Sequence, residues 1–160
     1  MNDVTDIDVI DRRILRALQA SGRATYDEVA AAVNLSPSAA LRRVKRLEEA
    51  GIISRYVALL DSRRLGLGLT AYINVRVEKP NHHSRRTPMD VFRAAVQTWP
   101  EVVECVSLTG EMDYLLKVLV TDMAHYSRFV MDTLLKHSAV QDCRTSFVLD
   151  QVKHTTAVPL

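Results

Sequence analysis

The chain has 160 residues, with 21 Lys and Arg against 19 Asp and Glu, so its formal net charge is only +2. Hydrophobic residues at 48% and charged residues at 25% are ordinary globular proportions and exclude a disordered or fibrous chain. No run approaches the roughly 18 apolar residues of a membrane span, and the acidic start MNDVTDIDV is unlike a signal peptide. Cys105 and Cys143 form neither a disulfide framework nor a zinc set, which suits a reducing cytoplasm. The small net charge leaves nucleic-acid binding open, because a phosphate backbone responds to local charge.

The first 55 residues read as three short helices. Asp8 is an N-cap with Asp6 and Asp11 beside it, at the positive end of the helix, and Ile7, Ile10, Ile14 and Leu18 recur at helical spacing. Ser21-Gly22 ends that helix. Thr25 and Glu28 fit a capping box that opens a second helix of two to three turns, to about Val33. Ser36 caps a third, Pro37 takes its first position, and Gly51 follows its end. The inward face of this third helix is Ala40, Val44 and Leu47, and Arg42, Arg43, Lys45 and Arg46 are assigned to its outward face. Two short helices joined by a tight turn, the second one basic, form the helix-turn-helix pattern of DNA-binding proteins. Ser36 and Ser38 offer hydroxyls and free N–H groups to phosphates, and the four cations offer contacts to phosphates or base edges.

Residues 53–60 read as a short strand, and the polar, Gly-containing stretch 61–68 as a hinge. From Leu69 the period changes to 2: Ala71, Ile73, Val75 and Val77 alternate with Thr70, Tyr72, Asn74, Arg76 and Glu78. A polar loop at 81–87 precedes a helix at 88–99 with Val91, Ala95 and Trp99 inward. Strands at 102–109 and 112–121 flank the Gly110-Glu111 turn. A helix at 122–137 carries Met123, Tyr126, Val130 and Leu134 on one face, and a last strand covers 140–152. The order βαββαβ builds a four-stranded antiparallel sheet with both helices on one face, the ferredoxin-like arrangement. The other face needs a partner, so a dimer through the sheets is expected. The second and fourth strands lie at opposite edges, which keeps Cys105 and Cys143 apart. The fold class is α+β, divided as 1–55 for a winged-type helix-turn-helix, 56–67 for the strand and hinge linker, and 68–160 for the ferredoxin-like domain.

This organisation resembles the leucine-responsive/asparagine-responsive (Lrp/AsnC, feast/famine) transcription regulators. The matching stretches are IDVIDRRILRALQASGR, NLSPSAALRRVKRLEEAGII, PEVVECVSLTGEMDYLLKV and DCRTSFVLDQVKHTTAVPL, in family order over nearly the whole chain. The resemblance implies binding of double-stranded DNA, a dimer made through the sheets and often assembled to an octamer, and a small amino-acid effector bound between dimers. Carried over residue by residue, the effector positions are Ser107, Gly110, Glu111, Met112 and Asp113, with Leu135 and Thr145. The residue types suit that role. Gly110 admits a close approach, Asp113 accepts from an α-ammonium group, turn N–H groups hold an α-carboxylate, and Met112 suits a leucine-like or methionine-like side chain. A plain hairpin turn explains Gly and Asp here as well.

Other signals carry little chemistry. His82-His83 has no third or fourth ligand at useful spacing, so no metal is expected. Cys105 sits in an apolar strand and reads as a core residue. No nucleophile, P-loop, zinc-protease or dinucleotide motif appears, so neither an enzyme nor a cofactor is expected. The readings are a cytoplasmic DNA-binding regulator answering to an amino acid, or an amino-acid sensor that docks on proteins instead of DNA.

Overall fold

The computed structural model describes residues 7–79 and 86–160. Two compact units form, one of residues 7–59 with 153–160 and one of 60–152.

The first unit is helical. Helix α1 is Val9–Ala20, α2 is Tyr26–Val33 and α3 is Pro37–Glu49. Each starts where the local chemistry dictates. Asp8 and Asp11 cap α1 reciprocally, Thr25 and Glu28 do the same for α2, and the Ser36 hydroxyl accepts from the Ala39 N–H with Pro37 in the first turn of α3. Asn34 ends α2 in the left-handed region (φ 57°), which an Asn tolerates. Ile14, Leu15, Val29, Ala30, Val33, Ala40, Val44 and Leu47 form the core, with Ile7, Ile10 and Leu18 packed at its edge. Residues 153–160 return to α1. The Gln19 side-chain amide donates to the Val158 carbonyl (3.3 Å) and accepts from its N–H (2.6 Å). Arg16 Nε donates to the Leu160 carbonyl (3.0 Å), and Leu160 packs against the helical core.

The strand read at 53–60 is absent: no described strand lies beside these residues to complete a ladder. Tyr56, Val57, Leu59 and Leu60 are exposed. The Tyr56 hydroxyl donates to Glu48 (2.9 Å), and partial shielding of the hydroxyl end from water, followed by that partner, pushes its pKa up to about 12.

The second unit is a four-stranded antiparallel sheet in the order β2-β3-β1-β4, from β1 (Leu69–Val77), β2 (Val102–Ser107), β3 (Tyr114–Val120) and β4 (Val140–Phe147). Pairing puts Ile73 opposite Leu116, Ala71 opposite Val118 and Val75 opposite Tyr114, so the alternate apolar residues of both central strands share one buried face. Helix α4 (Pro88–Val96) follows a capping box of Thr87 and Asp90. Its inward residues are Phe92 and Val96, followed by Trp99, whereas Val91 and Ala95 are half-buried; Phe92 meets Trp99 edge-on at 5.8 Å. The single helix read at 122–137 is α5 (Met123–Arg128), continued by a π-helical turn at Phe129–Leu134. Met123 is exposed, and Phe129, Val130 and Leu134 are the buried residues. The opposite sheet face carries Tyr72, Asn74, Leu115, Lys117 and Leu119, all half-buried. Cys105 and Cys143 are free thiols on the two edge strands, and burial pushes both pKa values up. The loop read at 81–87 falls mostly outside the described residues, as do His82 and His83.

The carboxyls of Asp8, Glu28, Asp90 and Asp122 all lie below their ordinary values. Backbone N–H donors come first for Asp8, Glu28 and Asp122, and the Thr87 hydroxyl comes first for Asp90. A carboxyl depressed in the folded state stabilises it in full above the unfolded pKa and loses that contribution as the pH falls through the folded one. The melting temperature is therefore expected to fall below about pH 4, and an Asp8→Asn/Asp90→Asn double variant to show a shallower fall in calorimetric scans.

Candidate nucleic-acid interface and effector turn

Along α3, at about 100° per residue, Ser38, Leu41, Arg42, Lys45, Arg46 and Glu49 share one face, and together they line a shallow surface depression. Ser36 stands at its N-terminal end, with its hydroxyl 3.2 Å from that of Ser38. The first turn of α3 carries no acidic residue. A helix start with two hydroxyls and three cations on one face is chemically fitted to phosphate oxygens and base edges.

Arg43 does not join that face. Its Nη1 donates to Asp8 Oδ2 (2.6 Å) and to Asp11 Oδ1 (2.9 Å). Arg46 Nη2 pairs with the other oxygen of Asp11. Asp11 is fully buried, the one charged residue so placed among those described, while the Arg43 side chain keeps 25% of its exposure and Arg46 keeps 50%. The Asp8 and Asp11 carboxylates raise the Arg43 pKa further above its already high value. Of the four cations read as one stripe, Arg42 and Lys45 face outward, Arg46 stands at the boundary, and Arg43 turns toward α1. Asp8 was legible as a cap and Asp11 as charge at the helix start; their reciprocal capping and their grip on α3 were not, the latter because the partners lie 32 to 35 residues apart.

The turn between β2 and β3 folds back against β1. Leu108 N–H donates to the Asp113 carbonyl (2.8 Å), and Asp113 N–H to the Val75 carbonyl (2.9 Å). Asp113 Oδ2 accepts from the Val77 N–H at 2.8 Å. Arg76 Nε donates to the Glu111 carbonyl (3.1 Å), its guanidinium stands 3.9 Å from the Met112 sulfur, and Met112 is buried. Glu111 reaches Arg144 on β4 at 3.6 Å. Gly110 adopts φ 124°, a region that side-chain-bearing residues rarely enter. The turn thus combines a positive-φ glycine, a backbone-capping aspartate, and a Glu111–Arg144 pair open to solvent. Arg76 and Arg144 belong to it, and sequence spacing gave no signal for either.

The remaining carried-over positions are dispersed in a single chain. Ser107 closes β2 at one sheet edge, opposite Tyr114. Thr145 lies on β4 at the other edge, where its hydroxyl accepts from the Tyr126 hydroxyl (2.6 Å). Leu135 is exposed just after the π-helical turn. Among the described residues no group of three or more His, Cys, Asp or Glu is placed to hold a metal, and no helix is long and apolar enough to cross a membrane.

Two family models match the chain: a winged helix-turn-helix DNA-binding model over residues 7–54 and the Lrp/AsnC ligand binding domain over residues 70–158. The leucine-responsive regulatory protein of Salmonella typhimurium is 40% identical over 94% of this chain and 89% of its own. The transcriptional regulator AzlB of Bacillus subtilis is 35% identical over 96% of both chains. Among solved structures, a transcriptional regulator from Neisseria meningitidis in complex with L-methionine superposes with a TM-score of 0.91 at 48% identity, covering 96% of this chain and 97% of that one. A feast or famine regulatory protein from M. tuberculosis complexed with L-methionine follows at 0.82 and 29%, covering 96% and 99%. With both units matched in order, the chain belongs to the Lrp/AsnC family of transcriptional regulators, non-enzymatic proteins that bind DNA through a winged helix-turn-helix and respond to amino acids through a ferredoxin-like domain.

Proposed function

We propose that α3 is the recognition helix and that Ser36, Ser38, Arg42 and Lys45 meet DNA, with Arg46 restrained at the margin of that face by Asp11 and Arg43 in a supporting place. The observation that carries this is the shared outward face of Ser38, Arg42, Lys45 and Arg46 at a Ser-capped helix start. Residues 1–55 read DNA with 153–160 packed on α1, 56–67 link, and 68–152 assemble and sense. The chain works in the cytoplasm as a dimer through the open sheet face, whose half-buried Tyr72, Leu115 and Leu119 suit a covering partner, and dimers assemble to an octamer. Two recognition helices then meet half-sites about one helical turn, or a multiple of it, apart.

The effector is a leucine-like or methionine-like amino acid held at the Gly110–Asp113 turn between dimers. The L-methionine complexes of two relatives and the leucine-responsive name of a third support that class. The backbone of the turn receives the α-carboxylate, and the exposed Glu111 supplies negative charge for the ammonium. Ser107, Leu135 and Thr145 come from elements that only an assembly brings to one place. Because Asp113 already caps Val77 and Met112 is buried beneath Arg76, their part is to fix the shape of the turn. Effector binding changes the assembly or the placement of recognition helices, a coupling of about 1–3 kcal/mol in typical cases.

Three outcomes test this. In a thermal-shift panel of the twenty amino acids, leucine or methionine raises the melting temperature, by about 2.7 kcal/mol of added stability at a hundredfold excess over Kd; a panel without any shift rejects the effector site. An Arg42→Ala/Lys45→Ala variant loses DNA affinity in mobility-shift titrations while its melting temperature stays put. Gly110→Ala costs about 1–3 kcal/mol of backbone strain, read from denaturant unfolding followed by Trp99 fluorescence.

A further inference from the structure

The basic residues of α3 are not equivalent, and the difference originates in α1. Asp11 sits in the first turn of α1 with no exposure, and its two oxygens are claimed by two arginines of α3 one helical turn apart. Oδ1 accepts from Arg43 and Oδ2 pairs with Arg46; Oδ2 also accepts from the Asp8 N–H at 3.2 Å. Asp8, itself the cap of α1, takes the same Arg43 nitrogen at 2.6 Å. One Arg43 nitrogen bridges the two carboxylates while Arg46 holds the other Asp11 oxygen, so α3 is tied to α1 at two points about one turn apart by charge-assisted hydrogen bonds. With Arg43 at about 140° from Ser38 around the helix, and Arg46 at about 80°, this pair of contacts sets the rotation of α3 about its own axis. The same rotation turns Ser38, Arg42 and Lys45 outward.

We propose that Asp11 and Arg43 are positioning residues of the DNA interface: they set the azimuth of α3, withhold Arg43 from DNA and restrain Arg46, so that sequence is read by the Ser38–Arg42–Lys45 face. This inference rests on the assignment of α3 as recognition helix and extends it to residues outside the contact face. The restraint has a functional side beyond folding. An arginine free to swing toward any phosphate adds affinity for every sequence equally, whereas one held by a carboxylate does not. Asp11 therefore favours discrimination over general affinity.

The test uses the full chain and two probes of equal length: a duplex that the wild-type protein selects from a randomised pool, and an unselected duplex. Affinities are measured across a salt series together with melting temperatures. Each lost phosphate contact flattens the slope of log K against log salt by about 0.9. Arg42→Gln is expected to flatten it by that amount with an unchanged melting temperature. Arg43→Gln is expected to leave the slope at the wild-type value, lower the melting temperature, and reduce the ratio of selected to unselected affinity about tenfold, with Arg43→Lys restoring part of that ratio. Asp11→Asn is expected to steepen the slope on the unselected duplex by about one contact while the ratio falls, because Arg46 is released. If Asp11→Asn does not fold, the Arg43 pair still decides. A slope flattened by Arg43→Gln as much as by Arg42→Gln overturns the proposal, as does an unchanged ratio in folded Arg43→Gln. A wild-type chain that selects no sequence, or one whose selection survives Arg42→Gln and Lys45→Ala intact, overturns the recognition-helix assignment instead.

Discussion

A carboxylate without solvent must be matched by positive charge and hydrogen-bond donors, or its burial costs several kcal/mol. Asp11 meets that condition only if α3 brings Arg43 and Arg46 to the first turn of α1. The placement agrees with the apolar side of the same helix: the azimuth that delivers the two arginines also buries Ala40, Val44 and Leu47 against Ile14 and Val29. Polar and apolar constraints thus select one orientation for a helix of 13 residues in a unit with a small core. Agreement between levels of this kind is what lets a short domain hold a defined outer face.

In the second unit the comparable constraint is the two-residue period of β1 and β3. From Ala71 on β1 and throughout β3 every second residue is buried, and the paired register stacks those residues in rows across the sheet. Once that face is fixed, the β2–β3 turn has little freedom. Asp113 joins it to β1 through its backbone N–H and its carboxylate, and Arg76 holds it from the other face of β1. The turn is a shaped surface before any ligand arrives, an arrangement that lowers the ordering cost of binding.

What was legible in the sequence was local or periodic. Caps act over three residues, so Asp8, Thr25 and Ser36 marked true helix starts, and strict alternation marked β1. Where two neighbouring positions are both apolar, the period does not choose between them: spacing alone puts Val91 inward on α4, but Phe92 is the buried residue. A β-rich stretch such as 53–60 forms a strand only beside another strand, and sequence does not say whether one is present. The change from α to π winding after Arg128 leaves no mark in residue spacing. The candidate site divided along the same line. Gly110 and the outward Arg42 and Lys45 were visible as residue types in a pattern. The commitments of Arg43 to Asp11, Asp113 to Val77 and Thr145 to Tyr126 were not, since each joins residues 19 to 36 positions apart.

The return of residues 153–160 to α1 bears on how such a protein can be taken apart. The first unit is discontinuous in the chain: its helices come from the beginning, and the segment lying along Arg16 and Gln19 comes from the end. A reading domain excised at residue 59 would leave that side of α1 bare, with the Gln19 amide stripped of the backbone pair it holds and Leu160 missing from the edge of the core. Chimeras that graft this DNA-reading unit onto a relative's sensing unit need two junctions rather than one, and the last eight residues travel with the first helix.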